Sequence, residues 1–163
     1  MISNNHFLYP STLIVSGSSS WIITILGSCI AICLHDPVLR IGGMNHYMLP
    51  LWNGDGLASP KYGNVAIEKL ITEMLVRGSK KSNLVAKMFG GGRITQSNTN
   101  PYNIGHRNIS IADTMLKEFG IQVVGSSVGG SQGRRIQFNP VSGKVLHKFI
   151  IPSKHVHIDE CGI

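Results

Sequence analysis

The sequence predicts an α+β fold: a two-sheet β sandwich or mixed sheet with two main helices packed outside. Three observations predict it. Short apolar runs of strand length are separated by turn residues, two segments carry apolar residues at helical spacing, and those segments interrupt runs of strands.

Residues 11–16 read as a first strand, and Ser16-Gly17-Ser18-Ser19-Ser20 as a turn. Residues 21–26 form a second, buried strand, which Gly27-Ser28 interrupts before residues 30–34 resume it. Asp36-Pro37-Val38-Leu39 has the composition of a type I turn, and residues 41–49 return as the partner strand. Residues 50–61 make a loop rich in Gly, Pro and Asn. Ile67, Leu70, Ile71, Met74 and Leu75 then lie on one helical face, with Gly78 as a C-terminal cap. Residues 83–89 read as a strand ending in three glycines. A second helix runs from about Gly105 to Phe119, burying Ala112, Met115, Leu116 and Phe119. Residues 121–124 form a strand, and residues 135–138 and 145–151 a hairpin. The tail from 152 is polar, and residues 1–163 read as a single domain.

The chain carries 15 Lys and Arg against 8 Asp and Glu, a net charge of +7 that favours an acidic partner. The basic residues are scattered and no nucleic-acid motif accompanies them, so no nucleic-acid binding is expected. The longest apolar stretch, residues 21–34, is too short to span a bilayer and is broken by Gly27 and Ser28. No signal peptide is recognised, so a cytoplasmic protein without membrane insertion is expected. Three cysteines do not form a disulfide framework. On one strand, Cys29 and Cys33 would lie roughly 13 Å apart, beyond bridging distance.

Cysteine and histidine nonetheless come together. If Asp36 to Leu39 are the four turn residues, the hairpin places Cys29 directly opposite His46, with Cβ atoms about 5 Å apart on one sheet face. Gly42-Gly43 could host a bulge that would shift this alignment. An imidazole beside a thiol promotes thiolate formation and can protonate a leaving amine. Gly27 and Ser28 supply small residues at the bend, where main-chain N–H groups can face a developing oxyanion. Cys33, inside an apolar strand, reads as a small buried hydrophobe.

Leu26-Gly27-Ser28-Cys29-Ile30-Ala31-Ile32-Cys33-Leu34 and Gly42-Gly43-Met44-Asn45-His46-Tyr47-Met48-Leu49-Pro50 resemble the signature of the CheD family, chemoreceptor glutamine deamidases. Lys61-Tyr62-Gly63, Phe89-Gly90-Gly91, Ile104-Gly105-His106-Arg107-Asn108 and Gly129-Gly130-Ser131-Gln132-Gly133-Arg134 extend the resemblance over roughly residues 10–150. It implies a fold like that of Cys-His toxin deamidases, with Cys29 as nucleophile, His46 as base and Thr24 as third member. Thr24 equally reads as a β-former in a buried strand. Ser127 and Asn64 stand where the family commonly has acidic residues. The implied reaction converts receptor glutamine to glutamate and ammonia through a Cys29 thioester, as part of chemotaxis adaptation, without a cofactor. Implied partners are methyl-accepting chemoreceptor cytoplasmic domains and a CheC-type phosphatase. A broader thiol amidase or protease, and a non-catalytic regulator binding receptors or such a phosphatase, are the competing readings. In the tail, His155, His157, Asp159 and Cys161 share a face that could hold zinc, but such tails are usually solvated and no metal is expected.

Overall fold

The computed structural model describes residues 4–94 and 103–151. It has three layers: two helices, a five-stranded sheet and a four-stranded sheet. The strands are β1 (His6–Phe7), β2 (Thr12–Ser16), β3 (Ile22–Leu26), β4 (Ile30–Asp36), β5 (Ile41–His46), β6 (Val85–Gly90), β7 (Gln122–Val128), β8 (Gly133–Phe138) and β9 (Val145–Ile150). The helices are α1 (Gly63–Val76) and α2 (Ile104–Glu118). One sheet has the order β1-β3-β8-β9, the other β2-β5-β4-β6-β7. Pairs β1/β3 and β6/β7 are parallel and the rest antiparallel.

The continuous apolar run in β4 follows from this layering. Its Ile30, Ile32 and Leu34 pack with α1 and α2 residues such as Leu70, Met74 and Leu116. Its Ala31 and Cys33 face the second sheet, among Ile22, Leu26, Met44, Ile136 and Phe138. A strand covered on both faces loses the usual alternation. Gly42 and Gly43 make no bulge; both pair regularly with β4 and β2. They are small because of crowding: a Cβ on Gly43 would press on Val15 and Leu70, and one on Gly42 on Phe138.

The structure changes several boundaries. β1 is a two-residue strand on exposed residues, too short to leave a period-two pattern. β5 ends at His46 rather than Leu49, and β7 runs on to Val128. The buried stripe of α2 is Gly105, Asn108, Ala112 and Leu116, while Met115 and Phe119 are only partly buried. Neither described helix is long and apolar enough to cross a membrane.

Leu70 is fully buried between α1 and the five-stranded sheet. Leu70→Ala should cost roughly 2–5 kcal/mol of unfolding free energy, through lost transfer energy and a residual cavity. Leu75→Ala, on an exposed site of the same helix, should cost far less. Urea denaturation of the two variants checks this; equal losses would refute the layering described.

Candidate active site

Cys29 lies in the bend between β3 and β4, one residue before Ile30. Neighbouring backbone holds this bend. The Cys29 carbonyl accepts from Gly91 N–H, and the Gly27 carbonyl from Gly92 N–H, each at 2.9 Å. Gly90 has φ +107°, and a Cβ there would collide with the Cys29 carbonyl. Only glycine suits both the conformation and the approach. Arg134, almost fully buried, donates to the Gly90 carbonyl at 3.3 Å, to the Gly129 carbonyl at 2.6 Å and to Ser127 Oγ at 3.1 Å. The hydroxyl of Ser127 thus receives the guanidinium where the resemblance led to a carboxylate. Asn64 Oδ1 accepts from Trp52 N–H at 2.9 Å and pins the loop before α1.

Cys29 does not pair directly with His46. Asp36 pairs with Ile41, Cys33 with Met44 and Ile30 with Tyr47, a register displaced by two residues. The cause is where the turn sits: residues 37–40 separate the paired Asp36 and Ile41, one position later than a turn over 36–39. Asp36 Oδ1 accepts from Val38 and Leu39 N–H, and Arg40, at φ 58°, donates its N–H to the Asp36 carbonyl. A two-residue shift preserves the face, so Cys29 and His46 become diagonal neighbours on the side facing the second sheet. Diagonal pairs stand about 7 Å apart, within reach of longer side chains. No hydrogen bond joins them: His46 Nε2 is buried without a partner among the described residues.

Thr24 and His46 do meet, across the two sheets. Thr24 Oγ1 is 2.7 Å from His46 Nδ1 and 2.8 Å from the Leu8 carbonyl oxygen. A hydroxyl has one proton, and a carbonyl only accepts. Thr24 therefore donates to Leu8 and accepts from Nδ1–H. This leaves the neutral ring with its lone pair on the bare Nε2, the atom a proton-accepting base needs. Leu8 enters the site through its main chain, which residue type alone does not reveal.

Burial sets the charges. His46 is 2% exposed, and desolvation lowers its pKa from 6.5 to about 4. Desolvation raises that of half-buried Cys29 from 9.0 to about 11, its own backbone N–H opposing the shift. The free chain thus holds a neutral thiol and a neutral imidazole, not the thiolate–imidazolium pair their proximity suggested. Cys33, 1% exposed, is pushed higher still by burial. Asn108 was missed as a site residue: fully buried on α2, its Nδ2 donates to the Ser28 and Met48 carbonyls, each at 3.0 Å. Its position four residues before Ala112, on the apolar stripe, is the signal that was there to find. His155, His157, Asp159 and Cys161 lie outside the described residues.

A family model described as "CheD chemotactic sensory transduction" matches residues 48–149. A protein of Sulfurimonas denitrificans is 48% identical over 147 residues, covering 88% of this chain and 93% of its own. One of Trichlorobacter lovleyi is 48% identical over 86% of this chain and 88% of its own. One of Agrobacterium fabrum is 42% identical over 85% and 76% respectively. Each is named "Probable chemoreceptor glutamine deamidase CheD". The family model begins after His46, but a continuous match over 88% of 163 residues cannot leave out the segment from Cys29 to His46.

Iodoacetamide should modify Cys29 before Cys33, because Cys29 is the more accessible and the less strongly shifted thiol. With its pKa raised to about 11, the Cys29 thiolate fraction grows about tenfold per pH unit below that value. The alkylation rate should therefore keep rising through the mildly alkaline range without a plateau near neutrality. Peptide mapping over a pH series reads both; Cys33 modified first would reverse the assignment.

Proposed function

The chain belongs to the CheD family, and on that premise we propose that it deamidates glutamine side chains of chemoreceptor cytoplasmic domains through a Cys29 thioester. The observation that carries the mechanism is the bare Nε2 of His46, fixed by Thr24 on the sheet face that Cys29 shares. Cys29 Sγ attacks the carboxamide carbon while His46 Nε2 takes the thiol proton. The carbonyl electron pair moves onto oxygen, giving a tetrahedral oxyanion. As the C=O bond re-forms, the C–N bond breaks and His46 returns the proton to the departing nitrogen, releasing ammonia. Water then attacks the thioester, its proton passing through His46 to the departing sulfur, and glutamate remains. Because the free pair is neutral, proton transfer accompanies attack rather than preceding it. Thr24 keeps Nδ1 protonated and stabilises the imidazolium formed in between.

Receptor docking and a CheC-type phosphatase as regulatory partner are proposals that follow from the family. The net charge of +7 suits an acidic partner surface. The Thr24–His46 bond would serve a non-catalytic regulator as a structural tie, but a bare, buried Nε2 on the face of Cys29 would bring it only the cost of an unmet hydrogen bond.

Incubation with a receptor cytoplasmic fragment should convert glutamine to glutamate, read by mass spectrometry. Cys29→Ala should abolish the conversion, Cys29→Ser should nearly do so, and Cys33→Ala should keep most of it. His46→Ala should lose most of the rate, and the Cys29/His46 double variant should be little worse than either alone. Thr24→Val should fall well below Thr24→Ser, which retains a hydroxyl. Unchanged conversion by Cys29→Ala would leave the binding-only reading standing.

The pH dependence has a definite sign. Protonated His46 has no lone pair for the thiol proton, so kcat/KM should fall on acidification. With the pKa lowered to about 4, the fall should centre near there rather than near the ordinary histidine value. A limb near 6.5, the unshifted value, would contradict the neutral buried base.

A further inference from the structure

We propose that Asn108 is the positioning residue for the oxyanion donor: by holding the Ser28 carbonyl, it turns the Cys29 N–H toward the oxygen of the attacked carboxamide. The proposal rests on the deamidase reading above and adds to it how the oxyanion is met.

The Asn108 side chain is fully buried on the inner face of α2. Its Nδ2 bridges the carbonyls of Ser28, just before the nucleophile, and Met48, two residues after the base. One amide thus ties together the two segments that must stay in register for chemistry. Tyr47 Oη donates to the Asn108 carbonyl at 2.6 Å, and Gly105, one turn earlier, packs against the Gly91 and Gly92 carbonyls. Both contacts fix α2 over the bend.

The Ser28–Cys29 peptide is trans. In a trans peptide the C=O and the following N–H point in opposite directions. With the Ser28 oxygen drawn toward Asn108, the Cys29 N–H faces away from α2. Outside its own residue, that N–H donates to no acceptor among the described residues. It lies on the side of its own thiol, where it favours the thiolate. A free N–H beside an attacking sulfur meets the geometric need of an oxyanion donor. Asn108 hydrogen-bonds to neither thiol nor ring among the described residues, so it acts through the peptide it holds.

Deamidation and alkylation separate this role from a merely structural one. Deamidation develops charge on oxygen; displacement of iodide from iodoacetamide does not. Asn108→Asp keeps the shape but loses the amide protons. It should lower kcat on the receptor fragment on the order of a hundredfold, with KM nearly unchanged, and should slow Cys29 alkylation at fixed pH far less, only by what the N–H lends the thiolate. Tyr47→Phe, which loosens the same helix without freeing Ser28, should keep most of kcat. A parallel loss of both reactions in Asn108→Asp, or an equal kcat loss in Tyr47→Phe, overturns the proposal. Full kcat in Asn108→Asp does so as well, while inactivity of the wild type would instead sink the deamidase reading. If the Asn108 variant does not fold, the wild-type chain decides. In its adduct with a peptide bearing an aldehyde in place of the glutamine carboxamide, the hemithioacetal oxygen should lie about 3 Å from Cys29 N. An oxygen turned away from that nitrogen refutes the assignment.

Discussion

A single proton on Thr24 organises the centre of this molecule. Thr24 belongs to the four-stranded sheet and His46 to the five-stranded sheet, and the bond between them crosses an interface built around an apolar cluster. Leaving either group unsatisfied there would cost on the order of 1–3 kcal/mol, so the bond also fixes how the sheets face each other. The Leu8 carbonyl claims the hydroxyl proton, and the ring must therefore donate from Nδ1. The segment just past β1, whose Leu8 side chain is also buried in the core, gains a further importance through that carbonyl.

Around this relay the bend carrying Cys29 is held by main-chain contacts and by the Asn108 side chain. Gly91 and Gly92 donate to it, Gly90 permits the approach, and Arg134 ties the glycine turn to the end of β7. Backbone contacts of this kind fix position while leaving the thiol itself free. The glycines between β6 and α2 and those before β8 thus meet at one place, although some forty residues of sequence separate them. Ser127 shows that the guanidinium needs an acceptor at this point, and a hydroxyl suffices.

Burial that shields His46 also withholds its charge. A preformed ion pair would place two charges where desolvation is severe, and the neutral pair avoids that cost. In the proposed mechanism, reactivity depends on a substrate carbonyl arriving to draw the proton transfer. Such an arrangement suits an enzyme whose thiol should ignore most electrophiles, and it differs from the thiolate that the nearness of cysteine and histidine alone suggested.

The sequence by itself determined the class of fold, the two helices, the face of the sheet shared by Cys29 and His46, and the burial of Cys33. These are local properties. Helical periodicity and strand alternation are set by backbone geometry, and facing survives any even shift of register. The tertiary structure alone decided the register. Asp-Pro fits a turn over residues 36–39 and one over 37–40, and only the closure at Arg40 in a left-handed conformation separates them. It also decided that Thr24 meets His46 and that Asn108 meets Ser28, because both contacts join elements distant in the chain. Residue type advertises a hydroxyl or an amide. Which carbonyl or ring it satisfies is fixed when layers pack and every buried polar group must find a partner.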